Sequence, residues 1–135
     1  MDKMSLARLK VSNIMTKTLI TATPDVTVEV AVKRMIDNDV ECLPIVDVNG
    51  ELSGLITFRD VVKKVVYTSA FGWEVIVEEI MVRNVTTLSP DSTLLDAIKI
   101  MKNKHLRRIP IVDVRSKLVG LVTNFDLALF GWETE

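Results

Sequence analysis

Cysteine and histidine each occur once, as Cys42 and His105. A single cysteine excludes an internal disulfide and any cysteine-clustered zinc site, and a lone histidine leaves an ordinary metal site mainly to carboxylates. No apolar run approaches the roughly 18 residues of a membrane-spanning helix. The stretch from Met1 to Lys10 carries charges but no apolar core, so no signal peptide is expected and the chain reads as soluble and cytoplasmic. An excess of one charge is missing too. The formal net charge of −1 gives no whole-protein attraction to nucleic acid or to an anionic membrane. Any phosphate binding must therefore be local. A glycine-rich phosphate loop, a nucleophile–base pair and a metal cluster are all wanting, which speaks against catalysis.

What the chain does have is a repeat. It is 48% hydrophobic and 26% charged, the balance of a folded domain. Shifted by 66 residues, Val11–Val62 superposes on Val77–Ala128 without a gap, and about 20 of roughly 52 positions are identical. Ile14-Met15 meets Ile80-Met81, and Pro24-Asp25 meets Pro90-Asp91. Pro44-Ile45-Val46-Asp47-Val48 meets Pro110-Ile111-Val112-Asp113-Val114, and Gly54-Leu55-Ile56-Thr57 meets Gly120-Leu121-Val122-Thr123. Asp60 meets Asp126. The duplication divides the chain into domains 7–68 and 77–133, joined by 69–76. A second echo, Phe71-Gly72-Trp73-Glu74 and Phe130-Gly131-Trp132-Glu133, recurs at 59 residues and lies outside this register. Its tryptophans are expected to pack within the chain, and an exposed pair would suggest a partner surface.

Within each half the periodicity changes along the chain. Val28, Ala31, Val32, Met35 and Ile36 share one helix face, with Asp25 or Thr27 as cap; Leu94, Ala97, Ile98 and Met101 repeat the pattern. Leu43–Val46 and Leu52–Thr57 flank Asn49-Gly50 and read as an antiparallel hairpin, with Arg115-Ser116 a weaker turn in the second copy. Pro44 and Pro110 lack an N–H and belong at a strand start or sheet edge. Phe58, Val61, Val62, Val65 and Val66 return to a helical period, and a first strand is expected near Leu19–Thr21. The fold class is therefore α/β in the α+β sense, two β-α-β-β-α repeats with pseudo-twofold symmetry. A repeat of this size buries too little surface to stand comfortably alone, so one shared core is expected. Met15, Met35, Met81 and Met101 read as core filling, Cys42 as a small buried hydrophobe and His105 as a surface residue.

Chemistry concentrates at Gly54-Leu55-Ile56-Thr57-Phe58-Arg59-Asp60 and Gly120-Leu121-Val122-Thr123-Asn124-Phe125-Asp126. Thr-x-x-Asp after a strand is close to a capping box, in which both side chains satisfy free N–H groups of a helix's first turn. The same geometry suits a nucleotide. A helix start and a Thr hydroxyl can donate to phosphate, while the carboxylate can accept ribose hydroxyls.

In order and spacing these elements resemble the CBS domain, and their doubling resembles the Bateman module, over Val11 to about Phe130. The resemblance implies a stand-alone regulatory module, not an enzyme. It would bind AMP, ADP or ATP, with S-adenosylmethionine ranked below them, in clefts between the two halves. It implies ribose contacts from Asp60 and Asp126 and phosphate contacts from Thr57 and Thr123. Backbone beside the adenine would come from Leu43 and Pro44, Ile109 and Pro110, and from Thr16, Lys17 and Thr18 with Val82, Arg83 and Asn84. Arg59, Arg107 and Arg108 would reach phosphates; the alternative for them is a solvated charge cluster at a helix end. With Phe125 replacing Arg59 in the second copy, the Asp60 cleft is expected to be the better phosphate site. A homodimer and an unknown regulated protein are the implied partners, with no resident cofactor. The alternative reading is a protein-interaction scaffold with vestigial clefts.

Overall fold

A computed structural model describes residues 3–134, with side chains over residues 4–129. Helix α1 (Lys3–Arg8) leads into a short 3-10 turn, Val11–Asn13. The first repeat then supplies α2 (Val28–Asp37), β1 (Cys42–Val46), β2 (Leu52–Thr57) and α3 (Phe58–Val61). A π-helical turn, Val62–Val66, continues α3. The second repeat supplies α4 (Val77–Ile80), α5 (Leu94–Lys104), β3 (Arg108–Val112), β4 (Leu118–Thr123) and α6 (Asn124–Thr134).

The helix starts follow the side chains that can cap them. Thr27 accepts from the Val30 N–H at 3.2 Å, while Asp25 is engaged by Thr23, so Thr27 and not Asp25 is the cap of α2. Thr93 and Asp96 form a full capping box on α5. The Thr93 N–H and hydroxyl hold the Asp96 carboxyl below its ordinary value. A carboxyl lowered on folding stabilises the fold above its unfolded-state pKa, and that contribution fades as pH falls through the folded value. Replacing Asp96 by Asn should therefore flatten the acid side of a stability–pH curve, which urea melts between pH 5 and 2 would read.

Each hairpin is antiparallel, with Pro44 opposite Leu55 and Pro110 opposite Leu121. The turns are longer than a two-residue Asn-Gly connection. The Asp47 carboxylate accepts from the Asn49 and Glu51 N–H groups (2.8 and 3.0 Å), and Gly50 takes φ +79°. Asp113 repeats this with Arg115 and Lys117, and Ser116 holds the positive-φ position. The recurrent Asp of the Pro-Ile-Val-Asp run is thus a turn residue.

The expected strand near Leu19–Thr21 is reduced to one parallel bridge, Ala22 with Ile45, matched by Leu88 with Ile111. Pro24 and Pro90 follow within two residues and end the extended segment. Pro44 and Pro110 sit mid-strand, not at strand starts. Their carbonyls accept from Ala22 and Leu88 N–H (3.2 Å each), and the return bonds come from Val46 and Val112 N–H, so the missing proline N–H leaves no bond unmade.

The chain forms two compact units that cut across the repeats: Met1–Leu19 with Thr86–Glu135, and Ile20–Val85. Each repeat's opening segment lies in the unit of the other repeat. Val82 bridges Leu55, and Thr16 bridges Leu121, each through two backbone bonds of 2.8–3.0 Å. The expected single core is accordingly replaced by two. One holds Val28, Ala31, Met35, Leu43, Ile45 and Ile56 with Val77, Ile80 and Met81; the other holds Leu94, Ala97, Met101, Ile109, Ile111 and Val122 with Val11.

The exchange explains why Met and Gly recur together. A Cβ on Gly54 would stand 2.7 Å from both the Met81 sulfur and the Val82 carbonyl oxygen, and one on Gly120 would strike the Met15 side chain. Gly54→Ala meets fixed backbone, so it should cost about 1–3 kcal/mol, whereas Gly120→Ala should cost less because Met15 can swing away. Chemical melts of both variants would read this difference.

After β2 the helical period breaks. Val65 is buried, but Val62 and Val66 are 56% and 65% exposed rather than on one core face. A π turn, which holds an extra residue per turn, spans the same stretch. The Lys64 carbonyl accepts the Thr68 hydroxyl (2.9 Å). Trp73, expected to pack inside, is 60% exposed and stacks on Phe71 at 4.5 Å between ring centroids. The matching side chains of Phe130 to Glu133 lie outside the described residues.

Candidate functional site

Both Thr-x-x-Asp motifs fold as capping boxes. The Thr57 N–H and hydroxyl donate to Asp60 Oδ2 (2.9 and 3.0 Å), and the Asp60 N–H donates to the Thr57 hydroxyl oxygen (3.2 Å). In the second repeat the Thr123 N–H donates to Asp126 Oδ2 (2.9 Å), and the Asp126 N–H donates to Thr123 Oγ1 (3.0 Å). The cap and the binding reading are compatible. Only one oxygen of each carboxylate is spent on the cap, and an ionised carboxylate has about four acceptor positions. Asp60 Oδ1 remains, with the Lys64 ammonium 3.6 Å away and the Asp60 side chain 15% exposed.

The hairpin register fixes what surrounds each motif. Cys42 lies opposite Thr57 and Arg108 opposite Thr123. The first N–H of each following helix returns to the chain before the strand, Phe58 to the Glu41 carbonyl (3.1 Å) and Asn124 to the Arg107 carbonyl (2.8 Å). Arg107 and Arg108 therefore sit in the unit that holds Asp126, and Arg59 in the unit that holds Asp60. Arg59 and Arg107 are exposed, and Arg108 is partly covered.

The opening segments are placed differently from the motifs. Because Val82 pairs antiparallel with Leu55, Arg83 and Asn84 continue toward the start of β2, away from Thr57. The Arg83 guanidinium is held by the Glu78 carbonyl (3.0 Å) and lies 3.5 Å from its carboxylate. Lys17 and Thr18 likewise run from Thr16 away from Thr123. Thr16, Lys17, Thr18, Val82, Arg83 and Asn84 are all exposed. Leu43, Pro44, Ile109 and Pro110 are buried, and the Leu43 and Ile109 side chains are fully enclosed in the two cores. Their side chains are therefore not presented to a ligand. Cys42 is buried and His105 is exposed, in the left-handed conformation that ends α5.

Sequence reasoning missed Lys64. Its Nζ donates to the Ile80 carbonyl at 2.8 Å as well as facing Asp60. The signal was available, since a lysine four residues after an aspartate on a helix is an ordinary ion pair. Among the described residues no group of three or more His, Cys, Asp or Glu could hold a metal, and no helix is long and apolar enough to cross a membrane.

The CBS-domain family model matches residues 11–67 and 77–132. The chain belongs to the CBS-domain family. It is 38% identical over 120 residues to an uncharacterized protein of Methanopyrus kandleri, covering 88% of this chain and 61% of that one. Some curated relatives are much longer, and the chain spans 24% of one and 23% of another. Among solved structures, a CBS domain pair in complex with 5-methylthioadenosine and S-adenosyl-L-methionine is 31% identical. It covers 93% of this chain and 98% of that one with a TM-score of 0.83. A complex of CBSX2 with AMP, 22% identical, covers 93% and 98% with a TM-score of 0.83 and attests the shared fold. The α+β architecture and the tandem CBS repeat are thereby established for this chain.

Proposed function

We propose that this CBS pair is a regulatory module that binds adenosine nucleotides, AMP, ADP or ATP ahead of S-adenosylmethionine, at its two Thr-x-x-Asp helix starts. It signals through conformation or a partner protein and performs no reaction itself. The observation that carries the reading is the duplicated carboxylate with one oxygen spent on the cap and one left over, at Asp60 and Asp126. The leftover oxygen accepts ribose hydroxyls, the Thr123 hydroxyl donates to phosphate, the Thr57 hydroxyl does so on release from Asp60 Oδ2, and Arg59, Arg107 and Arg108 supply charge. A cytoplasmic homodimer and a separate regulated protein belong to the same reading. The adenosine ligands bound by a 31%-identical CBS pair support the ligand class.

A thermal-shift panel of AMP, ADP, ATP, S-adenosylmethionine, NAD and GTP tests it. At 100 times its dissociation constant a ligand specific for the folded state adds about 2.7 kcal/mol, a shift on the order of 10 °C for a chain this size. Guanosine nucleotides should shift it less, because backbone groups that match adenine face reversed donors and acceptors at guanine. The second reading, an interaction scaffold with vestigial clefts, draws on the exposed Phe71–Trp73 stack. No shift from any adenosine ligand at millimolar concentration would favour the scaffold.

A further inference from the structure

Lys64 stands apart from every residue the nucleotide reading uses, and its two partners belong to different parts of one unit. Its ammonium donates to the carbonyl of Ile80, the last residue of α4, and lies 3.6 Å from Asp60 Oδ1. Ile80 belongs to the segment that closes the Ile20–Val85 unit. That segment contributes Val77, Ile80 and Met81 to the core and pairs Val82 with Leu55. The second repeat has Phe130 at the position of Lys64.

We propose that Lys64 is a positioning residue that ties the Asp60 carboxylate to the 77–82 segment, so that a change at Asp60 Oδ1 is felt in the hold on that segment. An ammonium has three donors. One is committed to Ile80, and the positive charge faces Oδ1, the carboxylate oxygen that the Thr57 cap leaves unused. The Lys64 side chain is 44% exposed, so water weakens the ion pair, but the shorter bond to a carbonyl at the end of α4 anchors it. The ligand consequence rests on the nucleotide reading above, and the tie itself does not. A ribose hydroxyl arriving at Oδ1 shares that oxygen with Lys64.

Hydrogen exchange on the full chain tests the tie without any ligand. The Val82 amide, bonded to the Leu55 carbonyl at 2.9 Å, and the Met81 amide, bonded to Val77 at 2.9 Å, report on the segment. Lys64→Met should accelerate both by roughly ten-fold, the loss of one charge-assisted hydrogen bond. Asp60→Asn should accelerate them less, and the double variant no more than Lys64→Met alone, while Lys64→Arg should stay near the parent rate. If Asp60→Asn leaves Met81 and Val82 unchanged, or if the two effects simply add, Lys64 merely caps α4 and the proposal fails. A second arm compares AMP with 2′-deoxy-AMP: the parent's preference for the hydroxyl should shrink in Lys64→Met. An unchanged preference overturns the positioning of Asp60. A parent that binds neither ligand sinks the nucleotide reading while the exchange result still decides the tie.

Discussion

A fragment of residues 7–68, the first sequence repeat, will show no cooperative unfolding, whereas residues 20–85 will. The repeat lacks three side chains that its core contains: Val77 (fully buried), Ile80 (5% exposed) and Met81 (7% exposed). Burying an aliphatic or Met side chain stabilises by about 1.5–3 kcal/mol, so the three together supply roughly 5–9 kcal/mol. That equals much of the whole stability of a small domain, about 5–15 kcal/mol. The repeat also loses the Val75 carbonyl that accepts from Val28 N–H (2.8 Å) and the two bonds joining Leu55 and Val82. Residues 20–85 keep all of these. Circular dichroism through a urea titration of both fragments would show it. A sigmoidal transition for 7–68 at the same midpoint as 20–85 would mean that the opening segment of the second repeat is dispensable to the first.

The sequence told a good deal about the parts and little about their exchange. Thr27, Thr93, Thr57 and Thr123 could be read as helix starts because a hydroxyl before an apolar-periodic run has a local purpose. The hairpins were equally legible from the β-rich runs around Asn49-Gly50 and Arg115-Ser116, though the turn roles of Asp47 and Asp113 were not. Pairing Met81 with Gly54 and Met15 with Gly120 was not. Both residues recur in each repeat, but a small-with-large match says nothing about whether the methionine comes from the same copy or the other. The π turn at Val62–Val66 escaped as well, because the valines satisfy a regular helical period. At the candidate site, the spacing of Thr57 with Asp60 and of Thr123 with Asp126 pointed to the capping boxes that form, while their nucleotide roles were implied by the CBS resemblance alone. That Leu43 and Ile109 turn their side chains into the cores was set by strand register, which a four-residue apolar run does not reveal.

In the proposed function the two Thr-x-x-Asp carboxylates hold the ribose of an adenosine nucleotide. Removing such a carboxylate loses a charge-assisted bond worth about 1.5–3 kcal/mol, ten-fold or more in affinity. The same substitution also removes a cap, which costs about 1 kcal/mol of stability. Folding loss and binding loss must therefore be read separately. Arg59 is the basic residue inside the first Thr-x-x-Asp motif, and Phe125 takes its place in the second, so the inequality between sites rests on Arg59. Asp60→Ala should accordingly cost more affinity for AMP than Asp126→Ala, and Arg59→Ala should hurt AMP binding far more than adenosine binding. Isothermal titration of AMP into the parent, Asp60→Ala, Asp126→Ala and the double variant, with each first shown folded by circular dichroism, decides the matter. Weakened binding is expected in each single variant, more for Asp60→Ala, and no binding in the double. A folded double variant that binds AMP as tightly as the parent would contradict that reading.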